Sequence, residues 1–183
     1  MDARLKRRNW IDRGLRTLAT DGATSLKVGA MATAMGVSRG SFYWHFKDFA
    51  DFRTQLLRSW RDRTVDQVIQ EFDRDLAEPD RLRRLIKRAF FGKRGLDRAI
   101  RLWAAEDEDV AAMVAAVDAR RVAYMAELLT AAGVDARQSR ARAAFIYWAY
   151  LGQAMVMDLA SAAIDEGAME RIVGLFEGQA AGG

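Results

Sequence analysis

The chain contains no cysteine, and that one absence removes disulfides, thiol nucleophiles and thiolate metal sites together. A single histidine, His45, cannot assemble a zinc site, and a single proline, Pro79, leaves long stretches free to be helical. Val, Ile and Thr are too scattered to mark a sheet, whereas Ala, Leu, Arg and Met are abundant, so the composition predicts an all-α fold. Also missing are an activated nucleophile, a metal-ligating cluster and a glycine-rich phosphate loop behind a strand. No enzyme, catalytic residue, metal or cofactor is therefore expected. The start, MDARLKRRNW, is basic without an apolar stretch behind it, so no secretory signal is read and a cytoplasmic protein is expected. Residues 143–157 carry no formal charge, but the run falls short of the ~20 residues of a membrane span and contains Gly152 and Gln153. It reads as a buried helix, with no membrane partner.

What is present is enough for a core: 183 residues, 51% of them apolar. Charge is uneven. Residues 1–63 carry 13 Lys/Arg against 6 Asp/Glu, a net +7, while the remainder carries 16 against 19, a net −3. A basic module ahead of a slightly acidic remainder suits a first part that meets a polyanion and a second that does not.

Periodicity predicts about nine helices. Ile11, Leu15, Leu18 and Ala19 mark the first, over 3–20, closed by Asp21-Gly22. Thr24 or Ser25 is expected to cap a short second helix that faces inward through Val28, Met31, Ala32 and Met35 and stops at Gly36. Ser38 is expected to cap a third. A long fourth helix starts near Asp48 and ends before Pro79, with Phe49, Phe52, Leu56, Trp60, Val68 and Phe72 as apolar markers. The fifth uses Leu82, Leu85, Ile86, Ala89 and Phe90, and the sixth is short, around Leu96, Ile100 and Trp103. The seventh runs from Val110 to Gly133. An Asp135/Gln138 capping box opens the eighth, which is apolar on nearly every face from Ala143 to Val156. The ninth lies around Met169, Ile172, Val173 and Phe176.

Two short helices across a tight glycine turn make a helix-turn-helix. The stretch Met35-Gly36-Val37-Ser38-Arg39-Gly40-Ser41-Phe42-Tyr43-Trp44-His45-Phe46-Lys47-Asp48 resembles the signature of the tetracycline-repressor (TetR) family, in which a glycine turn and a short recognition helix end in an aromatic cluster. Gly22 and Thr24-Ser25-Leu26 match as well, so the resemblance covers about residues 8–57; Asp48-Phe49-Ala50-Asp51 departs from the commoner pattern.

The residues read the same way from physics. Phe42 and Phe46, at i and i+4, should close a small core with Leu15, Leu18 and Met31. Arg39, Ser41, Tyr43, Trp44 and His45 are left on the opposite face, which fits a major groove: Arg39 for a guanine edge or a phosphate, Ser41 for a base or a thymine methyl. Gly40 costs ~1 kcal/mol of helix propensity but allows close backbone approach to DNA. Tyr43, His45 and Lys47 resemble the family's phosphate clamp. Thr24, Ser25 and Lys27 should hold a second phosphate at the start of the second helix. With Ser38 as cap, these make up the expected DNA-binding set.

The resemblance implies a DNA-binding domain over residues 1–48 and a helical ligand-sensing and dimerisation domain over 49–183. Trp60, Trp103, Met113, Tyr124, Met125, Tyr147, Trp148 and Met155 supply aromatic and flexible side chains of the kind that line pockets, and an apolar or aromatic effector is expected among them. The eighth and ninth helices look like the family's dimerisation pair. The function implied is a repressor that binds a palindromic double-stranded DNA operator as a homodimer and is released by a small molecule. A ligand-blind or architectural helix-turn-helix protein is the alternative.

Overall fold

The structure, a computed structural model, describes residues 6–75, 78–92, 95–153, 160–161 and 163–177. Among them there is no strand, as the composition requires. The helices are α1 (Arg7–Asp21), α2 (Val28–Ala34), α3 (Gly40–Tyr43), α4, α5 (Glu78–Phe91), α6 (Gly95–Ala104), α7 (Glu108–Ala131), α8 (Ala136–Gln153) and α9 (Glu166–Gly174). Helix α4 runs over Phe49–Arg61, widens into a π-turn at Asp62–Asp66 and continues over Gln67–Asp75 without a break. Counting that run once, nine helices stand among the described residues, and none is long and apolar enough to cross a membrane.

The chain forms two compact units, Met1–Asp66 with Arg94–Ala116, and Gln67–Lys93 with Val117–Gly183. These units follow packing and cut through α4 and α7. In the first unit, Trp10, Ile11, Gly14, Leu15 and Leu18 form the buried face of α1, three to four residues apart as an amphipathic helix demands. Gly14 sets how close α1 comes to α4: a Cβ there would stand 2.7 Å from Phe52 Cζ and 2.8 Å from Leu56 Cδ1. Trp60 is fully buried, and its indole N–H donates to Asp97 of α6 at 3.3 Å. Asp107 accepts from the Val110 amide at 3.2 Å, opening α7, and pairs with Arg53, whose guanidinium lies 5.1 Å from the Trp103 ring centroid. That amide first, and Arg53 with it, holds the Asp107 carboxyl below its usual range.

The second unit is built around Phe72, Ile86, Phe90, Leu129, Ile146 and Met169, one or more from each of α4, α5, α7, α8 and α9. Gly133, at φ 87, ends α7 by turning left-handed, which lets the Val134 amide reach Leu129 O at 3.1 Å and the Gly133 amide Thr130 O at 3.0 Å. Asp135 then opens α8 as expected, accepting from the Arg137 and Gln138 amides at 3.0 and 3.3 Å. The reciprocal half of the expected capping box is diverted, because the Gln138 side chain accepts from Arg142 instead.

Candidate nucleic-acid interface

Helices α2 and α3 are joined by the same device that ends α7. Gly36, at φ 67, turns left-handed, the Val37 amide donates to Ala32 O and the Gly36 amide to Thr33 O, both at 3.1 Å. A Cβ at Gly36 would oppose this conformation, which is why the turn needs glycine. Helix α3 is only four residues long, but i→i+3 and i→i+4 bonds from the His45 and Phe46 amides to Phe42 O extend the coil to Phe46.

Phe42 and Phe46 point inward together, as the spacing predicted, and their rings lie 4.9 Å apart. Phe52 of α4 meets them edge-on at 5.5 and 5.1 Å, and Trp10 of α1 meets Phe42 at 5.3 Å. Trp10 and Gly14 were not among the expected core residues, although both lie on the stripe that Ile11, Leu15 and Leu18 define. A four-ring cluster thus fixes α3 against α1 and α4 and leaves its other side to solvent: Tyr43 is 63% and Trp44 79% exposed, with Arg39 and Lys47 also exposed and Ser41 and His45 half-buried.

Two expected caps are displaced. Ser38 does not cap α3: Arg39 holds the N-cap position with no side-chain capping bond, because the chain is already helical at Arg39. Thr24 and Ser25 do not open α2 either. They lie in a separate 3₁₀ turn, Ala23–Ser25, with the Ser25 hydroxyl donating to Asp21 O at 3.0 Å; α2 begins at Val28 with extended Lys27 as its N-cap. Lys27 and Thr24 are exposed beside that helix start, where first-turn amides have no partner within the helix. At Gly40 a Cβ would meet only Ser38 Oγ at 3.7 Å, so packing within the chain does not demand glycine there.

The joint to α4, where the sequence departs from the family pattern, is tied three times. Asp48 accepts from the Asp51 amide at 2.8 Å, Asp51 accepts from the Lys47 amide at 3.0 Å, and Gln55 donates to Asp51 at 2.7 Å. The Gln55 bond above all, with the Lys47 amide second, holds the Asp51 carboxyl below its usual range.

The expected ligand residues are distributed over both units. Trp60, Trp103 and Met113 belong to the first; Tyr124, Met125, Tyr147 and Trp148 belong to the second; Met155 lies outside the described residues. Tyr124 is buried and donates to Asp73 at 3.0 Å, and Tyr147 is buried and donates to Asp118 at 2.7 Å. Trp148 stands 67% exposed on α8. Two clefts of the second unit, about 950 Å³ beside Phe72, Lys87 and Met169 and about 840 Å³ beside Ala123, Ala126 and Ala136, include none of these residues.

No family model matches the chain. Over 55 residues, 30% of its length, it is 38% identical to the HTH-type transcriptional regulator AcrR of Shigella flexneri, and the match spans 26% of that protein. Whole-chain likeness to solved structures is closer in shape than in sequence. One neighbour, assigned to the TetR/AcrR family of transcriptional regulators, superposes with a TM-score of 0.76 at 20% identity, covering 93% of this chain and 98% of that one. Another, a transcriptional regulator from Saccharomonospora viridis in complex with choline, gives 0.69 at 15% identity over 93% and 94%. The fold is that of TetR/AcrR-type regulators, and the resemblance read from the motif is borne out.

Proposed function

We propose that the chain is a sequence-specific, DNA-binding transcriptional regulator of the TetR type and not an enzyme: a cytoplasmic repressor that grips a pseudo-palindromic operator as a homodimer and leaves it when a small apolar or aromatic molecule binds. The observation that carries this is the reader itself. A short helix is fixed from behind by four aromatic rings and presents Arg39, Ser41, Tyr43 and Trp44 outward, flanked by Lys27 and Lys47. Polar and basic groups on a rigidly held helix of this kind suit phosphates and base edges.

The dimer rests on α8 and α9. Phe145 and Trp148, one turn apart on α8, are 57% and 67% exposed, and Leu175 just beyond α9 is 77% exposed. Apolar surface this large on a helix pair is the usual mark of a partner face, so Trp148 is better placed at the subunit contact than in a pocket. The sensor role draws support from the choline-bound neighbour and from the aromatic residues of both units. Because α4 carries the chain from the reader into the second unit, a ligand that favours one arrangement of the second unit could reset the reader, and a tenfold loss of DNA affinity needs only about 1.4 kcal/mol of such coupling.

Selection of bound DNA from a random library tests the core of the reading. Enrichment of a two-fold symmetric site, with half-sites about one helical turn or a small multiple apart, is the expected result, and recovery of unenriched sequence rejects it. A molecule found by thermal shift should then weaken operator binding, and the operator should weaken that molecule equally; an unchanged dissociation constant at saturation leaves the ligand-blind DNA binder as the better reading.

A further inference from the structure

Resting on the DNA-binding reading, one residue that touches neither the expected phosphate clamp nor the core controls how the reader reads. Gly29 occupies the first turn of α2, and the guanidinium of Arg39, at the start of α3, packs into the space a side chain would take there. A Cβ built on Gly29 would stand 2.7 Å from Arg39 Nη2, 2.9 Å from Nε and 3.0 Å from Cζ, closer than ordinary van der Waals contact in every case. The Nε–Nη2 edge is therefore turned toward α2, and Nη1 is the end left farther from it. Any other amino acid at position 29 must push this group away.

We infer that Gly29 is a positioning residue for DNA specificity: its bare backbone gives Arg39 a shelf on α2, so that the guanidinium meets the DNA from one fixed place. An arginine side chain has four rotatable bonds, and left free on an exposed helix start it can reach several base pairs and phosphates in turn. The open space over Gly29 favours that place for the guanidinium, from which the planar fork can approach a single base edge. Helix α2 thereby sets which base α3 reads. Gly29 lies within α2 and shows no left-handed backbone, so the helix does not require glycine there, and alanine is the better helix former. Its replacement should leave folding intact.

The experiment compares four full-length proteins: wild type, Gly29→Ala, Arg39→Ala and the double variant. Each is put through random-library selection and then titrated with the enriched duplex and with a scrambled duplex. Gly29→Ala should lose roughly tenfold of the preference at the same symmetric pair of positions where Arg39→Ala loses it, with scrambled-duplex affinity unchanged. In the Arg39→Ala background it should add nothing, since it acts through Arg39. An unchanged base preference in Gly29→Ala overturns the inference. So does an equal further loss in the double variant, which would mean that the new Cβ obstructs the DNA directly. If wild type enriches no sequence at all, the DNA-binding reading falls and this inference with it, a result distinct from the other two.

Discussion

The reader and the second unit dispose of their aromatic residues in opposite ways. In the reader, Trp10, Phe42, Phe46 and Phe52 are all buried against one another, and the most exposed aromatics, Tyr43 and Trp44, lie on the side that faces outward from α3. In the second unit, Tyr124 and Tyr147 are buried with their hydroxyls tied to Asp73 and Asp118, while Phe145 and Trp148 stay exposed on α8. The first arrangement is a small core closed by its own residues. The second ties two buried tyrosine hydroxyls to carboxylates and leaves Phe145 and Trp148 uncovered on one helix.

The largest expected effect breaks the first half of this comparison. Phe42 touches Trp10, Phe46, Phe52 and Tyr43, so Phe42→Ala removes the ring that three helices share. It should cost ~3–5 kcal/mol of stability, measured by denaturant unfolding, and hydrogen exchange should quicken first in the amides of α1, α2 and α3. A loss below about 1 kcal/mol would mean that the cluster is not what holds α3.

Next comes the exposed face. Trp148→Glu places a charge where the second unit is proposed to meet its copy. Wild type should sediment at about twice the 20.5 kDa chain mass, and the variant at the chain mass, with little change in helix content. A wild-type monomer, or a variant that still pairs as tightly, removes α8 from the interface and returns Trp148 to the list of possible pocket residues.

The same contrast explains what could be read from the residues alone. The reader was legible because its constraints are local: Gly36 must turn left-handed, Phe42 and Phe46 must share a face, and Asp48 must cap α4, each fixed by neighbours within a few positions. Its misplaced caps are local as well. Ser25 and Ser38 are good capping types, but Ser25 spends its hydroxyl on Asp21 O in a 3₁₀ turn and Ser38 stands one residue too early. In the second unit the helices were legible and the roles of their side chains were not. Tyr124 and Tyr147 carry the same signature as pocket residues, and only long-range partners, Asp73 and Asp118, mark them as bonded core. Trp148 differs from Tyr147 by one residue on α8, which is enough to move it from the interior to the surface. Gly29 gave no signal, because its meaning depends on a side chain ten positions away across a turn.

The smallest expected effect sharpens the second half of the comparison by testing whether the interior polar pairs of the second unit stabilise it. Tyr124 is buried, and that burial, with the hydrogen bond to Asp73 and the Asp73 charge behind it, pushes the phenol up from 10.0 to about 12. The neutral phenol is the form the fold prefers, since it donates to Asp73 whereas a phenolate would face a carboxylate. A pKa raised on folding contributes stability that is fully present below the unfolded value of about 10 and is lost as pH climbs from there through about 12. Tyr124→Phe keeps the ring and removes the donor, so at pH 8 it should cost ~1 kcal/mol, the usual net worth of one hydrogen bond, because Asp73 stays exposed and paired with Arg81. Denaturant unfolding followed from pH 8 to 11 should show wild type losing stability above pH 10 and the variant losing less, so that the two curves converge. Parallel curves would mean that Tyr124 is not what titrates there. A variant as stable as wild type at pH 8 would mean that its hydroxyl contributes nothing net, which would leave apolar packing as the source of stability in both units.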